Sequence, residues 1–163
     1  MVLTRRMLGG ALLLGALVRP AMAETDEKGF VRIRPDDVPW NPPSSMGTIS
    51  ATLSGDPSKP GVFYVIRVKF QPGVHSVPHT HPEARHVTVL KGTWYTGTGE
   101  TVDFNKAVPL TPGSYMMHPA GAAHWDGAGD EEVIIQITGL GPSTTVPVHP
   151  GTPETGYWPK PKS

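Results

Sequence analysis

Proline and glycine divide this chain into short runs, and that punctuation constrains its fold more than any other feature. The 163 residues include 19 glycines and 19 prolines, and all but one of the prolines follow residue 23. Proline disrupts a helix interior, and clusters of proline and glycine mark turns. The runs between them are short and often alternate apolar with polar residues, as half-buried strands do. The pattern therefore predicts an all-β protein with one domain and no internal repeat.

Seven segments have the length and alternation of a strand. In the second of them, Tyr64 to Phe70 places Arg67 and Lys69 on one face and four large apolar residues on the other, as expected of a strand with one buried face. The seven predicted strands are Thr48 to Leu53, Val62 to Phe70, His86 to Leu90, Thr93 to Thr98, Ser114 to His118, Glu132 to Thr138 and Thr144 to Val148.

The segments outside these strands divide the chain further. Residues 1–23 have a basic start, a short apolar run and Ala21-Met22-Ala23, which is the order of a secretory signal peptide. We expect an extended arm at residues 24–47 and the β domain at residues 48–148. We expect residues 149–163 to form a proline-rich tail that packs loosely over the domain or a partner. We therefore expect export to the periplasm or secretion, with cleavage after Ala23.

Arg5 and Arg6 also resemble the twin-arginine signal of folded export, although the same pair is compatible with general secretion. Folded export would let a weakly binding ion be loaded before export, away from competing copper or zinc.

Composition excludes several chemistries and partners. There is no cysteine, so thiolate ligands, disulfides and cysteine nucleophiles are ruled out. Beyond residue 23, 14 acidic residues stand against 11 basic ones, a formal charge of −3. This balance gives no reason to expect a nucleic acid or a membrane surface as partner. A small molecule is the expected partner, and the sequence also allows a homodimer.

Three histidines form the candidate metal site. His79 and His81 are two residues apart, so on an extended strand both rings point to the same face. His124 lies in a second segment with similar turn residues and is a candidate for the third ligand. Without cysteine, any metal site here must be built from imidazole and oxygen.

These histidines lie in two spaced motifs. Gly73-x5-His79-x-His81 with Gly92, followed by Gly113-x5-Pro119-x-Gly121-x2-His124, resembles the two motifs of the cupin superfamily. The resemblance implies a jelly-roll β-barrel that in many members holds one divalent transition metal. It also implies functions that range from dioxygenases to isomerases, decarboxylases and non-catalytic binding proteins.

Arg85 departs from that pattern. Cupins usually have a glutamate at this position, and the asparagine often found after the last histidine is replaced by Ala128. The resemblance therefore supports a site of three histidines, His79, His81 and His124, for Fe, Mn, Ni or Zn, without a carboxylate.

The direction of Arg85 stays open at this stage. A guanidinium about 5 Å from a divalent ion would be repelled by roughly 6 to 7 kcal/mol at an effective dielectric constant near 20. An inward Arg85 would need either Glu83 as a counter-ion or an anionic substrate held jointly with the metal. Alternatively, Arg85 turns outward and pairs with a surface acid, or Glu83 itself reaches the metal.

Other residues near the motifs have weaker predictions. We expect His118 either to hydrogen-bond to one of the metal-ligating histidines or to contact the substrate. The alternative is a surface histidine at the end of a strand. His86 should face outward, because it alternates with Val87 and Val89, and His75 should be exposed on a loop. Five large residues next to the motifs line either an apolar pocket or plain core: Trp94, Tyr95, Tyr115, Met116 and Met117.

We therefore expect an exported metal-binding protein that resembles the cupins. The resemblance to three-histidine cupin dioxygenases suggests an oxidoreductase acting on a small organic anion, with Arg85 binding the anion. The alternatives are a non-catalytic small-molecule-binding cupin and a metal-free structural or interaction domain.

Overall fold

A computed structural model describes residues 24–44, 47–151 and 155–158 of the chain. The predicted signal peptide lies outside these residues. Within them, two short 3-10 turns and fourteen strands are found, and the prediction of an all-β jelly-roll is confirmed. The strands are β1 (Glu24–Thr25), β2 (Val31–Arg32), β3 (Thr48–Gly55), β4 (Phe63–Phe70), β5 (Val74–Ser76), β6 (His79–Thr80), β7 (Arg85–Lys91), β8 (Trp94–Thr98), β9 (Val108–Leu110), β10 (Tyr115–His118), β11 (His124–Ala128), β12 (Val133–Leu140), β13 (Val146–Pro147) and β14 (Thr155–Tyr157).

Two antiparallel sheets form the barrel. One has the order β10-β7-β12-β4-β3, and the other has the order β13-β6-β11-β5-β14, with β8 and β9 added beside β11. Neighbours in the sheets are far apart in sequence, as in β7 with β12 and β6 with β11. The six predicted strands from Thr48 to Thr138 match observed strands within two residues at each end, whereas Thr144 to Val148 shortens to β13.

Alternation along the strands separates buried side chains that point into the barrel from exposed side chains that point outward. On β7 the inward side chains are Arg85, Val87 and Val89, all buried, while the residues between them are exposed. The apolar core fills the inner faces: Tyr64, Phe70, Val87, Val89, Trp94, Ala128, Val133, Ile135 and Ile137. Arg85 therefore begins the same inward row that continues into the core.

Close contacts require glycine at positions 92 and 97. Gly92, in the turn between β7 and β8, has a φ of +71°, and a Cβ there would lie 2.4 Å from the carbonyl oxygen of Glu132. At Gly97 a Cβ would lie 2.2 Å from the ring of Trp125. Both positions exclude a side chain, which accounts for the glycine at the end of the first motif.

The arm and the tail both attach to the barrel. The backbone N–H of Asn41 donates to Ser50 O at 2.8 Å, and Lys69 Nζ lies 4.6 Å from the centre of the Trp40 ring. The tail was predicted to pack loosely, but β14 pairs with β5, and the Trp158 N–H donates to Gly73 O at 2.6 Å. It is therefore an additional strand of the second sheet.

His75 corrects the prediction of an exposed loop residue. It lies on β5, is 7% exposed, and sits under Gly156 of β14, where a Cβ would lie 2.5 Å from the imidazole. The burial results from β14, which pairs Gly156 with His75, a residue 81 positions earlier in the sequence.

No helix in the described part of the chain is long and apolar enough to cross a membrane.

Candidate metal centre and anion-binding cavity

Two neighbouring strands bring the three predicted histidines together. His124 of β11 is the direct partner of His79 on β6, and His81 follows on the same extended segment. Their ring centroids are 4.4 to 5.1 Å apart, and one ligand nitrogen from each ring lies within 4.8 Å of the others. Nitrogens that share a zinc-like ion at roughly 2.1 Å each can be at most about 4.2 Å apart. Small side-chain adjustments would therefore complete the site.

Hydrogen bonds fix which nitrogen of each ring points inward. The Nδ1 atoms of His79, His81 and His124 donate to the carbonyl oxygens of Val77 (2.8 Å), Thr144 (2.9 Å) and Ala122 (3.0 Å). This assignment leaves each Nε2 as a lone-pair acceptor, which is the tautomer that binds a metal. The Nε2 atoms of His81 and His124 are buried and have no hydrogen-bond partner within the described ranges of the chain. Buried acceptors without partners are unfavourable, so the donor set fits a metal ion.

His118 extends the cluster. Its position on β10 is directly opposite Arg85 on β7, so both side chains point inward. The ring centroids of His118 and His124 are 3.8 Å apart, and neither nitrogen of His118 has a hydrogen-bond partner among the residues described. The predicted hydrogen bond from His118 to a metal ligand is not formed. A role in binding metal or substrate stays a prediction.

Burial lowers the pKa of three of these imidazoles, those of His81, His118 and His124, and so favours their neutral form. The pKa of His81 is lowered to about 2, first by burial and then by the charge of Arg85. The pKa of His118 is also lowered to about 2, by burial and by the neighbouring His124. Burial lowers the pKa of His124 as well, while Asp126 opposes that shift. Neutral imidazoles are the form that binds metal.

Arg85 faces the interior. It is 8% exposed, its Nε has no hydrogen-bond partner, and no ion pair to it is present among the described residues. Burial lowers the pKa of Arg85, whereas Asp126 and then Tyr64 oppose that shift. The outward alternative does not occur, because Arg85 is buried. Glu83 is exposed and forms no ion pair in the described part of the chain, so it is not the counter-ion of Arg85, and it is not among the groups placed to hold a metal there. Arg85 is thus a buried cation without a direct counter-ion.

Asp126 is a site residue that the sequence reasoning missed. It lies two residues after His124 on β11, is 4% exposed, and has a carboxylate oxygen within 4.8 Å of ligand nitrogens of His118 and His124. The signal was present, since positions 124 and 126 share a strand face in the same way as positions 79 and 81. The cupin motif instead indicates an oxygen ligand at position 128, where this chain has Ala128, which is buried in the core.

A cavity of about 240 Å³ lies between Arg85, Asp126 and one residue of the histidine cluster, His79. His79, Arg85 and Asp126 line it, together with Ser76. One wall is apolar and comes from inward residues of β4 and β12: Ile66, Val68, Phe70, Ile135 and Ile137. Both a charged group and a carbon skeleton can therefore be accommodated.

The five large residues near the motifs do not line this cavity. Trp94 is fully buried in the core, and Met116 packs against it. Tyr115 and Met117 are exposed on the outer face, where Tyr115 Oη contacts Nδ1 of His86 at 2.7 Å. Tyr95 packs against Trp158. The outward direction predicted for His86 is confirmed.

Comparisons with solved structures show the fold. The polyketide cyclase RemF from Streptomyces resistomycificus is 18% identical, with a TM-score of 0.59 over 76% of this chain and 88% of that one. An RmlC-like cupin from Shewanella frigidimarina NCIMB 400 is 12% identical, with a TM-score of 0.54 over 74% and 96%. KdgF from Halomonas sp. is 17% identical, with a TM-score of 0.51 over 67% and 94%.

A search of curated proteins finds no significant match. A family model described as the ChrR cupin-like domain matches residues 28–144, which is most of the chain and includes every residue of the histidine cluster. Together with the jelly-roll fold, this match shows that the chain belongs to the ChrR cupin-like family of the cupin superfamily.

Proposed function

We propose that this protein is an exported metal-dependent enzyme, of the dioxygenase type, that acts on a small organic anion. The observation that carries the proposal is Arg85, a buried guanidinium that lines the same cavity as His79 and has no ion pair among the residues that the structure describes. An unpaired buried charge is costly to maintain, so a bound anion would remove that cost.

The residues have separate tasks in this proposal. Arg85 holds the substrate carboxylate by paired hydrogen bonds, and the apolar wall of β4 and β12 holds the carbon skeleton and excludes water. His79, His81 and His124 would hold the metal, with His118 as a candidate for a fourth ligand. A bound first-row metal would supply Lewis acidity or electrons for reaction with O2. Three neutral imidazoles leave room on the ion for other ligands.

The test uses metal-loaded protein and a panel of small carboxylates. Titration calorimetry measures affinity, and an oxygen electrode measures O2 uptake in the presence of each acid. Arg85→Gln should weaken carboxylate binding by roughly tenfold or more, since a hydrogen bond to a charged group is lost. The matched control Arg34→Gln removes an exposed guanidinium from the arm and should bind like wild type.

The outcomes separate the three functional hypotheses. Carboxylate binding with O2 uptake supports an oxygenase. Binding without O2 uptake or product contradicts the enzyme and indicates a binding protein. Protein that takes up neither metal nor carboxylate would indicate a structural or interaction domain.

The export proposal has its own measurement. Mass spectrometry of the protein from its native host should find Glu24 at the amino terminus. Replacing Arg5 and Arg6 with lysine should block export only if the twin-arginine route is used.

A further inference from the structure

We infer that the ligand of this cavity is a hydroxy acid, with its carboxylate on Arg85 and its hydroxyl group donating a hydrogen bond to Asp126. The inference rests on the proposed anion site at Arg85 and adds a second point of recognition. Asp126 then selects for a hydrogen-bond donor next to the acid group.

Asp126 has little hydrogen bonding of its own. Within the described residues its carboxylate has one donor, Ser76 Oγ at 3.2 Å. The same hydroxyl is also 3.2 Å from the backbone oxygen of Asp126, so its single proton is shared between two acceptors. The backbone N–H of Asp126 donates to Ser76 Oγ at 3.0 Å, which fixes the hydroxyl in place. A carboxylate that is 4% exposed thus keeps most of its acceptor capacity for another group.

Arg85 and Asp126 face each other across the barrel. Arg85 lies on β7 of the five-stranded sheet, and Asp126 lies on β11 of the other sheet. Both line the cavity, yet they form no ion pair. A ligand with an acceptor at one end and a donor nearby would satisfy both side chains at once, which neither can do for the other at this separation.

A hydroxyl group suits Asp126 better than an ammonium group. Asp126 lies within 4.8 Å of a ligand nitrogen of His124, one of the three histidines placed to hold a cation. A second positive charge beside that site would be repelled, whereas a neutral hydroxyl would not. The carbon skeleton of the hydroxy acid then lies against the apolar wall, which is formed by Ile66, Val68, Phe70, Ile135 and Ile137.

The experiment compares pairs of acids that differ by one hydroxyl group. Propionate and lactate, 4-methylpentanoate and 2-hydroxy-4-methylpentanoate, and 3-phenylpropanoate and 3-phenyllactate are titrated into metal-loaded wild type, with leucine as the ammonium analogue. For the pair that fits the cavity, the hydroxy acid should bind roughly tenfold tighter or more, as expected for a hydrogen bond to a charged acceptor.

Two variants assign that preference to Asp126. Asp126→Asn should reduce it to about threefold or less, because the acceptor becomes neutral, and Asp126→Ala should abolish it. The control Asp130→Asn changes an exposed aspartate in the same segment and should keep the full preference. Metal content and thermal unfolding are measured on each variant, and Asp126→Asn carries the conclusion if Asp126→Ala does not fold.

The results distinguish this inference from the proposed function. If the simple acids bind through Arg85 but the hydroxy acids bind no tighter, only the role of Asp126 is overturned. The same holds if the preference survives in both Asp126 variants, if leucine is preferred, or if Asp126→Asn loses the metal, which would make Asp126 a metal ligand. If no acid of either kind binds, the anion site itself is wrong.

Discussion

Two buried histidine environments differ in what surrounds the rings: one is at His75 on β5, and the other is the histidine cluster, where β6, β10 and β11 approach one another. His75 packs edge-on against Phe104 at 5.2 Å and Trp125 at 6.2 Å, and its Nδ1 bonds Ser76 O at 2.9 Å. In the histidine cluster, His81, His118 and His124 face one another and have buried nitrogens without partners. Both environments are buried, so burial alone does not mark a binding site. The binding site is marked instead by several buried imidazole nitrogens that lie close together and have no hydrogen-bond partner in the described structure.

The largest contrast should appear in metal content. His79→Ala combined with His81→Ala removes two of three converging donors, and bound metal should fall from about one equivalent to nearly none. His75→Ala removes an imidazole that faces aromatic rings and should leave metal content unchanged. Elemental analysis of protein exported by the native route measures both. Equal metal content in wild type and the double variant would show that the cluster binds no ion.

Acid should destabilise the metal-free protein through this cluster. The folded pKa values of His81 and His118 are about 2, well below the unfolded value of about 6.5. Below pH 6.5 the unfolded chain therefore binds more protons than the folded one, and stability falls as pH falls. Two such groups together contribute a slope of up to about 2.7 kcal/mol per pH unit between pH 6 and the folded pKa values.

His118→Leu sharpens the pH prediction. The substitution removes one of these groups and a ring whose nitrogens both lack partners among the described residues, so the slope should fall by up to about 1.4 kcal/mol per pH unit and the metal-free protein should gain stability at pH 5. Urea unfolding at pH 5, 6 and 7 on metal-free wild type and variant measures the change. An unchanged slope would mean that His118 is protonated or solvated in the folded state.

The charge at position 85 should set metal affinity. Arg85→Glu changes the local charge by two units and restores the carboxylate that related proteins have, so metal should bind at least roughly tenfold tighter, a factor that needs only about 1.4 kcal/mol of relieved repulsion. Carboxylate affinity should be lost in the same variant. A paired titration of metal and of small carboxylates measures both, and tighter metal binding with undiminished carboxylate affinity would remove Arg85 from the anion site.

The features that could be predicted from the sequence are those that depend on a local pattern of residues. The alternation in Tyr64 to Phe70 and Glu132 to Thr138 predicted observed strands, and the spacing of His79 and His81 predicted a shared face. The direction of Arg85 stayed open, because strand parity alone does not fix a register beside Pro82.

The missed features depend on pairing between distant segments. His75 is buried only because β14 returns to β5, and no local signal in the tail predicts that partner. Asp126 was missed for a different reason: its spacing from His124 is a local signal, but the cupin motif has its oxygen ligand two residues later, at position 128. Short strands such as β5 and β6 carry too few residues to show a period.

Substitutions among the aromatic residues around His75 should lower the stability of the fold and leave the histidine cluster intact. Trp158 packs against Phe104 at 4.4 Å and Tyr95 at 4.7 Å, joining the tail to the barrel around His75. Trp158→Ala should lower the free energy of unfolding by about 2 kcal/mol, less than a fully buried tryptophan because Trp158 is only half-buried. Metal content and carboxylate affinity should not change, since the ring contacts none of the four clustered histidines in the described structure. Urea unfolding with metal analysis measures both, and loss of metal in a variant that remains folded would show that the tail supports the site after all.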